Sequence, residues 1–346
     1  MKLADQYDLV IFDLDGVVYL GGEPVPGAVE AISSIVEAGP PVAYVTNNAS
    51  RRAEEVAALL RSLGIPARED EVLTSAQAAA ALLADDLPAG AEVLVVGAPA
   101  LAEEVRAVGL TPITAYTGER PAAVVQGYGP GVGWADLAEA CVAVRAGARW
   151  VATNVDATLP SPRGPLPGNG SLVAALSTAL GRRPDTVVGK PSPALFEVAA
   201  RRRDARRPLV VGDRLDTDIE GAVRAGMDSL LVLTGVSTPA DLLRAGPGER
   251  PTHVAADTRA LSTVEEFSRV PEWQADRSAA RAGPWQATRE DGRLILESDA
   301  PTAGTDAVAA LRALAAAAWA APWREVKAGD DVAAGALVAW GLDGQS

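Results

Sequence analysis

The chain has 346 residues, of which 48% are hydrophobic, and a formal net charge of −14 at pH 7. This length indicates about two domains, and the acidic excess argues against a surface that binds nucleic acid or an anionic membrane. No segment is apolar over the roughly 20 residues of a membrane-spanning helix, no hydrophobic leader is visible, and a single cysteine, Cys141, agrees with a reducing compartment, so we expect a cytoplasmic protein.

The first predicted strand, Leu9–Phe12, ends in a pair of acidic residues. Its continuous apolar and β-branched sequence is typical of a strand that is buried on both faces. Side chains two residues apart on a strand point the same way, so we expect Asp13 and Asp15 to converge where the strand ends. Two neighbouring carboxylates favour a bound divalent cation with oxygen ligands, such as Mg²⁺. An ordinary turn at Asp15-Gly16 with a solvated Asp13 is the alternative at this point.

The chain then alternates predicted strands and helices, which is typical of an α/β fold. A second apolar strand ends at Thr46, Asn47 and Asn48, and Ser50 is positioned to cap the helix that follows. A third strand with a turn into an alanine-rich helix is predicted at Val72–Ser75. Further strands are predicted at Val93–Gly97, Ala122–Gly127, Arg149–Thr153, Thr186–Gly189, Leu209–Gly212 and Ser229–Leu233. Helices are predicted over Val29–Glu37, Leu172–Leu180 and Pro193–Arg202.

The polar strand ends fall into two groups, one before about residue 75 and one after about residue 185, with a complete α/β module between them. An open α/β sheet places its site outside the carboxyl ends of its strands. Both groups can serve one site only if the middle module is looped out. We therefore predict a discontinuous core of residues 1–78 and 183–268, an inserted domain of residues 79–182 and an appendage of residues 271–346.

The appendage differs in character from the rest of the chain. We predict a hairpin within Glu272–Ser298 with its turn at Asp291-Gly292, a helix over Asp306–Ala320, and a loose tail. We interpret it as a packing or self-association element, so a homo-oligomer formed through the inserted domain or the appendage stays open. The tryptophans of this region are interpreted as packing residues; they are Trp273, Trp285, Trp319, Trp323 and Trp340.

Four strand-end clusters supply the groups that phosphoryl transfer needs; they are Asp13–Asp15, Thr46–Asn48, Gly189–Pro191 and Gly212–Asp218. Asp13 is a candidate carboxylate nucleophile, and Thr46 and Asn47 are candidate hydrogen-bond donors to phosphate oxygens. Lys190 would stabilise the charge of the transition state, and Asp213 would be a further ligand of the cation. A single histidine, His253, argues against general base chemistry by histidine and against a His-rich zinc site.

The segments DLDGVV, VTNNAS, GKPSP and GDRLDTDI resemble, in this order, the four motifs of the haloacid dehalogenase superfamily of phosphohydrolases. The inserted module resembles that superfamily's type IIA cap, and residues 152–176 resemble the cap segment of the nitrophenylphosphatase and NagD-like branch. The resemblance implies a Rossmann-like parallel-sheet core with an inserted α/β cap. It also implies a Mg²⁺-dependent phosphatase, with glycerol 3-phosphate as the first expected substrate. The tail resembles the acyltransferase-like fold fused in similar proteins, without an acyl-CoA-binding loop.

The same resemblance assigns a role to each motif residue. Asp13 would form an aspartyl-phosphate, and Asp15 would protonate the leaving alcohol and then accept a proton from the hydrolytic water. Mg²⁺ would be held by the Asp13 side chain, the Asp15 backbone carbonyl and Asp213. Asp218 would support the metal through water or by orienting Lys190. The residues expected to bind the substrate phosphate are Thr46, Asn47, Asn48 and Lys190.

Several alternatives stay open. A broad phosphatase acting on aryl phosphates, phosphoglycolate or nucleotides would use the same core. A signalling module that holds a stable aspartyl-phosphate is a non-enzymatic alternative, although Asp15 and the large cap argue against it. In the polar loop of the inserted domain, four residues could contact the alcohol part of the substrate or could simply order the loop; they are Asn154, Asp156, Arg163 and Asn169.

Overall fold

The computed structural model describes residues 1–159, 163–264, 268–299 and 307–344. Its strands are β1 (Leu9–Asp13), β2 (Tyr19–Leu20), β3 (Glu23–Pro24), β4 (Val42–Thr46), β5 (Val72–Thr74), β6 (Glu92–Val96), β7 (Thr111–Ile113), β8 (Ala123–Gln126), β9 (Arg149–Ala152), β10 (Thr158–Leu159), β11 (Leu166–Pro167), β12 (Thr186–Val187), β13 (Pro208–Gly212), β14 (Asp228–Val232), β15 (His253–Ala255), β16 (Ala279–Ala282), β17 (Trp285–Glu290), β18 (Arg293–Ser298) and β19 (Glu325–Ala328). Its α-helices are α1 (Ala28–Ala38), α2 (Ala53–Ser62), α3 (Ser75–Asp86), α4 (Pro99–Ala107), α5 (Trp134–Arg145), α6 (Asn169–Leu180), α7 (Ala194–Arg202), α8 (Glu220–Arg224), α9 (Pro239–Arg244), α10 (Ala307–Ala320) and α11 (Asp331–Ala339).

The described residues form two compact units, one comprising residues 1–20, 24–42 and 205–346 and the other residues 21–23 and 43–204. These boundaries follow the density of contacts and differ from the predicted domain boundaries, which stay a prediction. None of the helices in the described ranges combines the length and hydrophobicity that a bilayer crossing requires.

The first unit contains a parallel sheet in which β1, β13, β14 and β15 are neighbours in that order. All residues of β1 and β13 are buried, as the uninterrupted apolar sequences predict for strands covered on both faces. The pair Phe12↔Val211 sets the register between these two strands. Parallel strands in register end at the same edge of the sheet, so the residues that follow β1 and β13 are neighbours.

The C-terminal part of the first unit is a second sheet, in the order β16-β17-β18-β19, packed with α10 and α11. The predicted hairpin is confirmed: β17 and β18 are antiparallel, and Asp291 and Gly292 connect them with φ of 48° and 77°, as a two-residue turn with both residues left-handed requires. The predicted helix is confirmed as α10, although Asp306 lies outside the described residues. The prediction of a loose tail was wrong, because β19 pairs with β18 in parallel and α11 follows.

The second unit contains a five-stranded parallel sheet in the order β12-β9-β8-β6-β7. The predicted strands at Val93, Ala122 and Arg149 are confirmed, and the three-residue β7 was not predicted. The sheet extends to Val187, beyond the predicted end of the inserted domain at residue 182. The same unit contains the parallel pair β4 and β5, at whose carboxyl ends lie Thr46 and Thr74.

Candidate active site

Three acidic side chains meet at the carboxyl ends of β1 and β13. Asp13 ends β1, Asp213 directly follows β13, and Asp218 lies in a π-helical turn, Leu215–Ile219, that follows. Their exposed fractions are 8%, 1% and 0%. One carboxylate oxygen from each lies within 4.8 Å of the others. We call these three residues the acidic cluster; the burial of Asp13 contradicts the alternative in which it is a solvated cap.

Backbone groups hold the acidic cluster in place. The amide of Val236 donates a 2.7 Å hydrogen bond to Asp213 Oδ2, and the amide of Arg214 donates a 3.1 Å bond to Asp218 Oδ2. These bonds orient two of the three carboxylates, and they are of the charge-assisted kind that is stronger than a neutral hydrogen bond.

Glycines next to the acidic cluster leave room for its carboxylates. A Cβ on Gly235 would lie 2.0 Å from Asp213 Oδ2, and a Cβ on Gly212 would lie 2.1 Å from Asp218 Cβ. A Cβ on Gly16 would lie 2.6 Å from Asp213 Oδ2, and Gly16 has a φ of +85° that side-chain-bearing residues rarely adopt. The cradle around Asp213 is therefore one that only residues without a side chain can form.

The donor set of the acidic cluster fits a hard divalent cation. Buried carboxylates at this separation repel one another, and positive charge between them relieves that repulsion. Oxygen ligands from aspartates are what Mg²⁺ and Ca²⁺ take, whereas zinc sites prefer sulfur and nitrogen ligands. Asp13 and Asp213 come together from the ends of two different strands, and their role as metal ligands stays a prediction.

Asp15 belongs to the turn after β1, because that strand ends at Asp13. Asp15 is exposed and forms an isolated bridge with Tyr19. The Gly16 amide donates a 2.8 Å bond to the Tyr19 carbonyl, and Thr234 Oγ1 donates a 2.5 Å bond to the Gly16 carbonyl. This hydrogen-bonded turn therefore sets the position of Asp15, rather than the alternating side-chain directions of a strand.

The second unit gathers another group of predicted residues around Asn47. Asn47 Oδ1 accepts a 2.8 Å bond from the Lys190 amide, and Asn47 Nδ2 donates a 3.2 Å bond to the Lys190 carbonyl. Thr46 Oγ1 accepts a 3.1 Å bond from the Asn48 amide. Thr46 and Lys190 are buried, with exposed fractions of 5% and 3%. Residues from two distant motifs therefore meet, as the sequence predicts.

The polar loop of the inserted module completes this group. Asn47 Nδ2 also contacts both carboxylate oxygens of Asp156, at 3.1 and 3.2 Å. Asn154 Nδ2 donates a 2.6 Å bond to the Asn47 carbonyl, and Asn169 Nδ2 donates a 2.7 Å bond to the Asn154 carbonyl. We call Asn47, Asn154, Asp156 and Lys190 the Asn47 cluster. Asn154 and Asp156 order the loop and contact Asn47 of the second motif. In the sequence, these two residues are marked only by the many polar residues and prolines of their loop.

Comparison with known proteins agrees with this fold. Residues 10–111 match the haloacid dehalogenase-like hydrolase family, residues 187–261 match a HAD-hydrolase-like family, and residues 282–342 match a GCN5-related N-acetyltransferase-like domain. The chain belongs to the haloacid dehalogenase-like hydrolases, and the superfamily predicted from the four motifs is confirmed. The match over residues 282–342 agrees with the acyltransferase-like interpretation of the tail.

Several relatives of this chain are phosphatases. D-glycerol 3-phosphate phosphatase from Mycobacterium tuberculosis is 47% identical over 352 aligned residues, which cover 99% of this chain and 96% of the relative. A crystal structure of glycerol phosphate phosphatase from the same organism in complex with magnesium superposes with a TM-score of 0.90 at 48% identity, covering 99% of this chain and 100% of that one. A 4-nitrophenylphosphatase from Thermotoga maritima superposes with a TM-score of 0.69 at 32% identity, covering 76% and 98%.

Proposed function

We propose that this hydrolase converts glycerol 3-phosphate to glycerol and inorganic phosphate with Mg²⁺ as its cofactor. The observation that carries the proposal is the acidic cluster, whose three buried carboxylates are arranged for a hard cation. The substrate follows from the Mycobacterium tuberculosis relative, which is similar over nearly the whole length of this chain. A bound Mg²⁺ would supply charge neutralisation between the nucleophile and the substrate phosphate.

Asp13 and Asp15 carry the chemistry in this proposal. A carboxylate oxygen of Asp13 forms a bond to phosphorus while the bond between phosphorus and the glycerol oxygen breaks, which leaves an aspartyl-phosphate. Asp15 gives its proton to the departing glycerol oxygen. Asp15 then takes a proton from a water molecule whose oxygen attacks phosphorus, which releases inorganic phosphate and restores Asp13.

The remaining residues position the reacting groups. Asp13 and Asp213 would hold the metal through their side chains and Asp15 through its carbonyl. Asp218 would support the metal through water or would orient Lys190. Lys190, Thr46, Asn47 and Asn48 would bind the phosphate. Because the side-chain amide of Asn47 already has acceptors in Lys190 and Asp156, we assign it chiefly the task of positioning Lys190.

Phosphate release from glycerol 3-phosphate with and without Mg²⁺ tests this function. The Asp13→Asn variant should lose turnover by several orders of magnitude, because an amide cannot act as the nucleophile. Asp216→Asn is the matched control: Asp216 lies between Asp213 and Asp218 in sequence, but its exposed carboxylate pairs with Arg214. Substantial activity in Asp13→Asn, or equal loss in both variants, would contradict the assignment.

An aryl phosphatase is the second candidate, supported by the similarity to the 4-nitrophenylphosphatase. Ranking glycerol 3-phosphate, 4-nitrophenyl phosphate, phosphoglycolate and nucleoside monophosphates by kcat/KM separates the candidates, because kcat/KM measures discrimination in the transition state. The signalling alternative predicts an aspartyl-phosphate that persists for minutes to hours, whereas a hydrolase breaks it down within its turnover time.

Three broader features belong to the same proposal. We place the protein in glycerophospholipid metabolism in the cytoplasm, on the grounds of the expected substrate and the single cysteine. We assign a discontinuous core, a cap of residues 79–182 and an appendage of residues 271–346. Association through the cap or the appendage remains a hypothesis, for which measurement of the molar mass in solution is the test.

A further inference from the structure

The first turn of α6 packs closely on the loop after β9, residues 153–157. A Cβ on Gly168 would lie 2.4 Å from the Asp156 carbonyl oxygen, and a Cβ on Gly170 would lie 2.1 Å from the Val155 carbonyl oxygen. The Gly170 amide donates a 2.8 Å bond to the Asp156 carbonyl. Gly168 has a φ of −90°, which any residue adopts, so the closeness of the two backbones is what requires glycine here.

Asn169, which lies between these glycines, is a buried hydrogen-bond donor. Its exposed fraction is 2%. Its Nδ2 donates a 2.7 Å bond to the Asn154 carbonyl and a longer, 3.4 Å bond to the Gln126 carbonyl. Its Oδ1 is buried and has no hydrogen-bond partner in the described part of the chain. An apolar side chain would avoid the free-energy penalty of an unpaired buried acceptor, so we attribute the asparagine to the carbonyl that its donor fixes.

Two further hydrogen bonds extend this contact to the backbone of Lys190. Asn154 Nδ2 donates a 2.6 Å bond to the Asn47 carbonyl, and Asn47 Oδ1 accepts a 2.8 Å bond from the Lys190 amide. Asn154 and Lys190 are buried, with exposed fractions of 4% and 3%, so these bonds are shielded from water. We call Asn169, Asn154 and Asn47 the asparagine relay, because together they connect the start of α6 to Lys190.

The segments that the relay joins have little room to move. A Cβ on Gly189 would lie 2.7 Å from Asn47 Oδ1 and 2.9 Å from Asn154 Cβ. A displacement of Asn154 is therefore passed to the backbone next to Lys190. Ser75 Oγ also donates a 2.6 Å bond to the Asn47 carbonyl, which keeps Asn47 partly anchored. The loss of one relay bond should thus weaken the positioning of Lys190 without abolishing it.

We propose that Asn169 is a positioning residue for Lys190 and acts through Asn154 and Asn47 without contacting the substrate. Asn47 and Lys190 belong to the predicted core, whereas Asn154 and Asn169 belong to the predicted cap, so the relay crosses the predicted boundary between them. The role of Lys190 in this inference, which is to bind the substrate phosphate, rests on the proposed function. The order of a cap loop then controls the placement of a charge that phosphoryl transfer uses.

The environment of Lys190 can be measured without any substrate, because the chain has three lysines, Lys2, Lys190 and Lys327. Labelling the full chain with lysine that carries ¹³C at the ε carbon therefore gives three side-chain NMR signals, and Lys190→Arg identifies the one that belongs to Lys190. Asn169→Ala should shift this signal. The signals of Lys2 and Lys327, which are exposed, should stay in place and serve as internal references.

Ser171→Ala is the matched control. Ser171 lies in the same helical turn as Asn169, and its Oγ donates a 2.7 Å bond to the Ala157 carbonyl of the same loop, outside the relay. Its removal should leave the Lys190 signal and the rate of phosphate release unchanged. A general loss of order in the loop would affect both variants, whereas loss of the relay affects Asn169→Ala alone.

Kinetics with glycerol 3-phosphate gives the second readout. Asn169→Ala should lower kcat about tenfold with little change in KM, because Lys190 is expected to act on the charge of the transition state. Asn154→Ala should have a similar effect. The double variant should lose no more than about the larger single loss, since residues of one hydrogen-bond network do not contribute additively.

Thermal unfolding verifies that each variant is folded. If Asn169→Ala is not, Asn169→Ser decides the question, because its hydroxyl is too short to reach the Asn154 carbonyl. An unmoved Lys190 signal in the folded variant, an equal shift in Ser171→Ala, or additive losses in the double variant overturns the proposal. If the unchanged protein releases no phosphate from glycerol 3-phosphate, the proposed function fails and the NMR readout alone decides the relay.

Discussion

The side chain of Asn47 and the main chain of Lys190 are joined by two hydrogen bonds across 143 residues of sequence, with Asn47 as acceptor at 2.8 Å and as donor at 3.2 Å. A Cβ on the neighbouring Gly189 would lie 2.7 Å from Asn47 Oδ1. This close approach holds the backbone that carries the Lys190 ammonium group, so the position of a predicted catalytic charge depends on an amide from another motif.

Replacing Asn47 by alanine should lower kcat/KM by about 10- to 100-fold, because the Lys190 amide loses its acceptor and the lysine is no longer positioned. Asp156→Asn is the milder comparison, since it keeps an oxygen that accepts from Asn47 Nδ2. Steady-state kinetics with glycerol 3-phosphate measures both variants. If Asn47→Ala retained nearly full kcat/KM, the two hydrogen bonds would have no role in positioning Lys190.

Magnesium should stabilise the folded protein, because it relieves the repulsion among the three buried carboxylates. A ligand that binds only the native state adds about 2.7 kcal/mol to the free energy of unfolding when its concentration is 100 times its Kd. Thermal unfolding with increasing Mg²⁺ should show this rise in the unchanged protein and in Asp216→Asn. In Asp213→Asn the rise should be largely lost; an undiminished rise there would place the metal elsewhere.

Replacing Gly235 by alanine should weaken metal binding and activity together, because the added Cβ would lie 2.0 Å from Asp213 Oδ2 and must displace that carboxylate. Gly248→Ala is the matched control, since nothing lies within 4 Å of a Cβ at that position. Mg²⁺ titration of the phosphatase rate should require about tenfold more metal or more for Gly235→Ala. Equal metal requirements for the two variants would show that Asp213 tolerates the displacement.

The pair of Asp257 and Arg259 should make stability depend on pH. Hydrogen bonds from the Arg259 side chain lower the pKa of the Asp257 carboxyl, which also caps the short helix that follows. A lowered pKa in the folded state contributes stability above the unfolded value of about 3.9, and this stability is lost as pH falls through the folded pKa.

Asp257→Asn should therefore reduce the free energy of unfolding at pH 7 by about 0.5–1 kcal/mol, a modest value because Arg259 is well exposed and its charge is screened. Urea unfolding should show the two proteins converging as the pH approaches about 2–3. A difference that persisted unchanged at low pH would mean that the charge of Asp257 contributes nothing.

The acyltransferase-like region should contribute to the stability of the first unit, because its helix α10 shares a hydrophobic core with α9 and β14. Leu314 of α10 is fully buried in the same cluster as Leu231 and Leu242. Leu314→Ala should lower the free energy of unfolding by about 2–5 kcal/mol, whereas Val338→Ala, at a residue that is 63% exposed, should change it by less than about 0.5 kcal/mol. Similar small losses in both variants would mean that this core is not shared.

Local patterns were sufficient to predict most of the longer strands and helices and the residues that could carry the chemistry. The apolar runs before Asp13 and Asp213 predict buried strands, because a strand covered by helices on both faces has no polar side. The Asp291-Gly292 pair predicts its own hairpin, since that turn needs two left-handed residues. The sequence analysis missed short elements and elements near the C-terminus, such as β7, β15, β19 and α11. Their few residues show too little hydrophobic periodicity to be recognised.

By itself, then, the sequence determined which residues end the buried strands and that carboxylates, amides and a lysine are available there. The tertiary structure alone decided that Asp13, Asp213 and Asp218 each bring a carboxylate oxygen within 4.8 Å of the others. It also decided that the Asn47 side chain binds the Lys190 backbone and that arginines lie over two tryptophans of the tail. The physical reason is that hydrophobic periodicity reports how each segment is buried, whereas the partner of a polar side chain depends on strand order and on contacts between segments far apart in the chain.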